Sequence, residues 1–147
     1  MGKDELINDI ITTPLKQIFH PKGDIYHGMK KSDNGFSGFG EAYFSTIIEG
    51  DIKPWKKHLK MTLNLIVIEG EVKFVIYDDR SNSTTKGKFY TINLSPKNYL
   101  RLTVPPNVWM AFKGIGDGKS TLLNIANLEH DPEEMVRLEL DQIPFSW

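Results

Sequence analysis

The chain has 147 residues, 25% of them charged and 39% hydrophobic, with a formal net charge of -1. That length makes one domain, 1–147, with room for a full core. The near-neutral balance gives no global field for nucleic acid or an anionic membrane, and the lack of cysteine removes disulfides, thiolate nucleophiles and zinc-thiolate sites. No apolar run approaches the roughly 20 residues of a membrane span. The opening MGKDELINDI carries acids where a signal peptide needs a basic and then an apolar stretch. A cytoplasmic protein that contacts neither membrane nor nucleic acid is expected.

In chain order, residues 4–13 read as a short helix. Asp4 can cap it, Leu6, Ile7, Ile10 and Ile11 fall on one face, and Pro14 stops it. From there the pattern turns to β. Strands are expected at 18–19, 24–29, 40–49, 61–68, 71–78, 87–94, 99–104, 108–113 and 121–128, with turns at Asn34-Gly35, Glu69-Gly70, Pro96-Lys97-Asn98 and 114–118. The run 114–118 reads as a hairpin turn and not a nucleotide loop, because it lacks a strand-to-helix setting. Asp131-Pro132-Glu133-Glu134 opens a helical turn with a cap, a Pro and acids at the positive dipole end. Many short strands argue a sandwich or barrel. Several, such as 63–68 and 74–77, are apolar on both faces, which predicts a second covering layer and makes a homodimer plausible.

Residues 51–80 read as strand, turn, strand and overlie a cupin metal pattern of His-x-His, carboxylate and Gly turn. The two His slots hold Lys56 and His58, and the carboxylate slot falls near Leu63. His58 with Met110 and Asn64 is a poor set for zinc, iron or manganese, so no metal and no cofactor are expected.

The marks Gly23-Asp24, residues 39–45, Ile52-Lys53-x-Trp55-Lys56-x-His58, residues 77–80, residues 102–106, residues 109–112, residues 131–134 and the closing residues 143–147 recur together. In these, from about residue 15 to 147, the chain resembles the cupins related to dTDP-4-dehydrorhamnose 3,5-epimerase, the dTDP-sugar isomerase family. The resemblance implies an all-β cupin-type double-stranded β-helix, a jelly-roll barrel, usually dimeric, with a nucleotide-sugar in its mouth. It implies an epimerase or isomerase acting on a 4-keto-6-deoxy sugar nucleotide in surface-polysaccharide synthesis. It also marks departures. The slot of the family's proton-removing His holds Lys56, the family's acidic Tyr falls near Asn124, a Lys becomes Leu63, a phosphate-holding Arg becomes Lys53, and a His becomes Met110. A non-catalytic cupin that binds a nucleotide-sugar or a small acidic metabolite is therefore the alternative.

The candidate catalytic residues are Lys56, His58, Glu41 and Tyr43. Lys56 and His58 share parity on a strand. A desolvated Lys56 could act as a base or anchor an anion, or it could belong to a solvated edge with Lys53, Lys57 and Lys60. Glu41 and Tyr43 alternate on their strand and could relay a proton or hold sugar hydroxyls, or sit at a dimer contact. The candidate substrate-binding residues are Lys53, Trp55, Asn64, Arg80, Trp109 and Asn124. Asn64 is expected to face Lys56 and His58. Trp55 and Trp109 could stack on a base or sugar, or simply be buried. Arg80 and Arg101 could fork a diphosphate or pair on the surface. His130 reads as a surface or capping residue.

Overall fold

The structure, a computed structural model, describes residues 6–147. Its strands are β1 (Ile11–Pro14), β2 (Gln17–Ile18), β3 (Ile25–Tyr26), β4 (Glu41–Ile48), β5 (Ile52–His58), β6 (Leu63–Glu69), β7 (Val72–Tyr77), β8 (Phe89–Leu94), β9 (Leu100–Val104), β10 (Trp109–Gly114), β11 (Lys119–Ala126) and β12 (Met135–Arg137). They build two five-stranded antiparallel sheets, ordered β1-β9-β6-β11-β4 and β12-β5-β10-β7-β8, beside a small β2–β3 ribbon. From β4 to β12 the chain changes sheet at every step except the β7–β8 hairpin. Consecutive strands thus face each other across the core, which is the jelly-roll arrangement expected from the sequence.

The alternation of side chains supplies the inward faces. Leu63, Leu65 and Val67 of β6 meet Val72, Phe74 and Ile76 of β7, with Leu102, Val104 and Leu122 completing the same cluster. The Glu69-Gly70 turn is present, and it carries the chain from one sheet to the other. Gly70 has φ 79°, and a Cβ there would collide with Ser120, so only glycine fits.

The second layer predicted from two-faced apolar strands is, on one sheet, the chain's own C-terminus. Trp55, Val75, Trp109 and Ala111 turn away from the main core and are covered by Leu138, Ile143, Phe145 and Trp147. Trp55 and Trp147 stack at 6.1 Å and Phe89 and Phe145 at 5.2 Å. On the other sheet the segment 28–36 lies over β6 and β9. Arg101 holds it there, fully buried, donating to the carbonyls of Gly28 and Asn34 and to the Asp33 carboxylate. Neither reading of Arg101 from sequence foresaw this structural role.

The short N-terminal helix is corrected. Residues 4 and 5 lie outside the described residues. Residues 8 and 9 form a turn, with Asp9 at φ 74°, and Ile11 opens a strand paired with β9. Ile7 and Ile10 are buried in the core, so the helical-looking spacing reflects two core anchors. Ile11, Thr12 and Thr13 are β-branched and have a free sheet edge to join, and tertiary pairing overrides the weak helical pattern. The run 114–118 is likewise not a hairpin turn, because β10 and β11 belong to different sheets.

Tyr77-Asp78-Asp79-Arg80 proves to be scaffolding. Asp78 is fully buried and accepts both forks of Arg80, at 2.9 and 3.0 Å, plus the hydroxyls of Ser83 and Thr85. Burial pushes its carboxyl up, but these hydrogen bonds outweigh that and hold it well below the usual carboxylate range. Arg80 also reaches Asp9 and the carbonyl of Asn8, pinning the N-terminal segment to the β7–β8 loop. Replacing Asp78 with Ala leaves Arg80 with no buried partner. A loss of about 3–5 kcal/mol is expected in urea unfolding at pH 7.

Candidate functional site

A cavity of about 330 Å³ opens between the sheets. Leu63 and Leu65 of β6, Val104 of β9, Met110 of β10 and Met61 from the β5–β6 connection give it an apolar floor. Its polar walls come from β4, β5, β11 and β12. Of the residues singled out from sequence, Glu41, Tyr43, Lys53, Lys56, His58 and Asn124 all line it.

Lys53 and Lys56 are three apart and would point to opposite sides of a regular strand. Both face the cavity because β5 bulges. Its partner β10 pairs Met110 with Lys56 but Phe112 with Lys53, so β5 carries an extra residue between them. Pro54 lies in that bulge, where its missing N–H costs the ladder nothing. Alternation from Lys56 turns Trp55 outward, and the bulge returns Lys53 to the cavity wall, where its Nζ donates to the Thr46 carbonyl at 2.8 Å and lies 5.6 Å over the Phe112 ring.

His58 Nδ1 lies 2.5 Å from Glu134 Oε1. Glu134 is buried at 6% exposure. Its other oxygen accepts the backbone N–H groups of Leu59, Lys60 and Met61 at 3.1–3.2 Å. Burial raises this carboxyl, but the bonds from His58, Lys60 and Met61 outweigh it and the pKa lies below the ordinary glutamate value. The carboxylate occupies Nδ1, so Nε2 is the nitrogen left for the cavity.

On the first sheet, β11 pairs Asn124 directly with Tyr43 of β4. Asn124 Nδ2 donates to the Tyr43 hydroxyl at 2.9 Å. Its Oδ1 is buried with no hydrogen-bond partner. Glu41, two residues from Tyr43 on the same face, accepts the His130 backbone N–H at 3.2 Å. Lys56 keeps solvent contact as a residue. Its ammonium is nevertheless held below the ordinary lysine range, first by desolvation, then by repulsion from Arg137 and Lys53.

The remaining candidates lie elsewhere. Trp55 is fully buried under the C-terminal segment, its Nε1 donating to the Leu140 carbonyl. Trp109 is 5% exposed, donates to Asp79 at 2.9 Å and carries Lys57 at 4.7 Å from its ring. Both are packing residues on the outer face. Asn64 does not face Lys56 and His58: it donates to the Gly35 carbonyl and accepts from Thr103 behind β6. Parity does not carry across the loop between β5 and β6, and Leu63 and Leu65 take the cavity face instead. Arg80 is bound to Asp78 and Asp9, as described above.

Arg137, which lines the cavity, and Glu134, buried behind His58, escaped the sequence reading as site residues. Glu134 and Arg137 come from the 3-10 turn Pro132–Glu134 and from β12, which pairs with β5. His130 is exposed, as the surface reading expects, and also lines the cavity. The Asp131 cap is present, accepting from the Glu133 N–H at 3.0 Å. It was the available signal that this segment is ordered, but it does not reveal which strand the segment meets. Among the described residues, no three His, Asp or Glu side chains gather as a metal-ligand set.

A solved dTDP-sugar isomerase from Desulfovibrio desulfuricans superposes with a TM-score of 0.92 at 35% identity, over 96% of this chain and 92% of that one. The chain belongs to the dTDP-sugar isomerase family of cupins. A probable low-salt glycan biosynthesis epimerase of Haloferax volcanii is 32% identical over 94 residues, which are 63% of this chain. This chain spans only 60% of that relative's length. A spore coat polysaccharide biosynthesis protein of Bacillus subtilis is 24% identical over 97% of both chains. No family model matches the chain.

Removing the Glu134 charge tests the support behind His58. Glu134→Gln is expected to lower stability by about 1–3 kcal/mol at pH 7, because the backbone N–H groups of residues 59–61 lose their charged acceptor. The folded carboxyl titrates below its unfolded value. Its contribution is therefore complete above about pH 4–5 and is lost as pH falls through the folded pKa. Urea unfolding of wild type and variant should thus converge in acid.

Proposed function

We propose that the protein is a nucleotide-sugar epimerase or isomerase of the cytoplasm, acting on a dTDP-linked 4-keto-6-deoxy sugar in surface-polysaccharide biosynthesis. The observation that carries this reading is the His58–Glu134 pair facing a cavity whose opposite sheet presents Tyr43. A carboxylate behind an imidazole fixes the tautomer with Nε2 unprotonated and stabilises the imidazolium that forms after proton transfer, as in other His-carboxylate bases. His58 is thus the base, although the resemblance placed the family's base slot at Lys56.

In this mechanism Nε2 of His58 removes the proton on a carbon next to the 4-keto group, and the electron pair moves onto the ketone oxygen as an enolate. Tyr43 stands on β4 in one sheet and His58 on β5 in the other, so they flank a sugar held between the sheets. Proton return from the Tyr43 hydroxyl inverts the carbon. Return from His58 to C4 after abstraction at C3, with the C3 hydroxyl proton passing to the former ketone oxygen, would instead move the ketone to C3. Asn124 orients the phenol, and its free Oδ1 can accept one sugar hydroxyl. Glu41 is placed to hold another. The volume sits at the low end of ligand sites, about 300–1,000 Å³. It suits the sugar and adjoining phosphate, with the nucleoside toward the mouth. Lys53 stands where the resemblance puts a phosphate-holding residue.

The protein works as a homodimer in this reading. Phe44 and Ile48, 64% and 54% exposed, project outward from edge strand β4, and an apolar edge of that kind favours a covering partner. Light scattering of purified protein should give twice the chain mass, and Phe44→Glu should give the monomer.

Proton NMR in D2O with freshly made dTDP-4-keto-6-deoxyglucose tests the chemistry. Wild type should erase the signal at C3 or C5, and His58→Asn should slow that loss by at least about 100-fold. Tyr43→Phe should keep deuterium exchange while losing inverted product, because removal and return then occur on one face. Full exchange by His58→Asn would overturn the assignment of the base.

A further inference from the structure

Outside glycine, two described residues have positive φ, Asp9 at 74° and Asn107 at 70°. Asp9 is held by Arg80, as described above. Asn107 lies in Pro105-Pro106-Asn107-Val108, where the chain passes from β9 to β10. Pro at the first central position and positive φ at the second mark a type II turn, and Asn visits the left-handed region more readily than most residues. A tight turn would be a sufficient account of an exposed Asn. It does not account for where the backbone N–H goes. The Asn107 N–H donates to the His58 carbonyl at 2.6 Å. The β5–β10 ladder runs out at the Lys57–Trp109 pair, so this bond lies one step beyond it.

The bond falls on the peptide unit that follows His58. On the β12 side of β5 the Leu59 N–H of that unit donates to the Glu134 carbonyl at 2.7 Å, and on the β10 side its His58 carbonyl accepts from Asn107. A planar peptide unit tied at both ends cannot turn freely about the Cα–C bond of His58. The Cα–Cβ direction of His58 is thereby fixed, and Glu134 pins the ring at its far end. We propose that Asn107 is a positioning residue for His58: its left-handed backbone aims the N–H that locks the end of β5 and sets the imidazole against the cavity. This rests on the reading of His58 as the base and deepens it. A base must be held to about 0.5 Å of its working place, and that is hardest to meet at the end of a strand, where the ladder stops. The requirement falls on the backbone of residue 107 and not on its amide side chain. Glycine therefore serves there, whereas a β-branched residue, which disfavours positive φ, does not. Pro105 and Val108 of the same turn line the cavity, so the turn that seats the base also borders the space the substrate enters.

The test compares wild type with Asn107→Gly and Asn107→Val, and with Asp9→Val, which places the same strain in the N-terminal segment. Each is checked for native circular dichroism and for its urea midpoint. The 15N shifts of the His58 ring report which nitrogen carries the proton, recorded without substrate at about pH 8.5, above the ordinary imidazole range. Wild type and Asn107→Gly should show one tautomer, protonated at Nδ1. Asn107→Val should show a mixture, whereas Asp9→Val should lose stability and keep the single tautomer. In the D2O exchange assay Asn107→Val should lower the maximal rate about 10- to 100-fold with KM little changed, and Asn107→Gly should restore it. An unchanged ring tautomer in Asn107→Val would overturn the positioning role. So would Asp9→Val disturbing the ring as far as Asn107→Val does, or Asn107→Gly failing like the valine variant. The ring shifts need no substrate and so report separately. A tautomer mixture confined to Asn107→Val, with no exchange by wild type on the ketosugar, would keep the support of His58 and remove the epimerase reading.

Discussion

The contact on which the site depends is the buried carboxylate of Glu134. One oxygen meets His58 and the other gathers the N–H groups of Leu59, Lys60 and Met61. These donors belong to the segment that leaves β5 for β6: Leu59 also donates to the Glu134 backbone carbonyl at 2.7 Å, and the carboxylate takes the N–H groups of Lys60 and Met61 where the chain crosses between sheets. A buried N–H without an acceptor is costly, so a carboxylate from elsewhere in the chain closes the crossing. The same interaction orients the imidazole and seats the turn that begins β12. Support for the backbone and support for the chemistry are one interaction here.

Around that contact the two sheets divide the work. The second sheet contributes the charged wall, because the Pro54 bulge brings Lys53 and Lys56 to one face and β12 adds Arg137. The first sheet contributes the phenol and amide, paired across β4 and β11. Both outer faces are partly sealed by the chain itself, one by the aromatic C-terminal segment and one by the 28–36 segment clamped on Arg101. Rigid outer layers leave the inner faces free to carry polar groups. The motifs that suggested phosphate or base contacts at Arg80, Trp55 and Trp109 belong to this outer scaffolding.

Much of the fold was legible because strand alternation and turn residues act locally. The strands from residue 40 to 128 follow from apolar periodicity punctuated by Gly, Pro and Asn, and the shared facing of Lys56 with His58, and of Glu41 with Tyr43, follows from parity within single strands. Parity failed where it was carried further. Asn64 was assigned to the cavity by counting across a loop, and a loop resets which face a strand presents. Trp55 adjoins inward-facing Lys56, so alternation turns it out and leaves it the buried of its two expected readings. The expected helix over 4–13 rests on the helical spacing of Leu6, Ile7, Ile10 and Ile11, yet the open edge of β9 draws Ile11–Pro14 into the sheet.

The sequence by itself determined a sandwich or barrel of short strands and a short set of polar residues that share facing, because propensity and periodicity are properties of neighbouring residues, and its resemblance to the dTDP-sugar isomerases supplied the jelly-roll form. Only the tertiary structure decided that His58, not Lys56, has a carboxylate behind it, that Tyr43 stands beside Asn124, and that Arg137 stands beside Lys56. Glu134 is 76 residues from His58 and Asn124 is 81 from Tyr43. A chain that changes sheet at nearly every turn brings such distant residues together through strand register, and no local pattern in the sequence records that register.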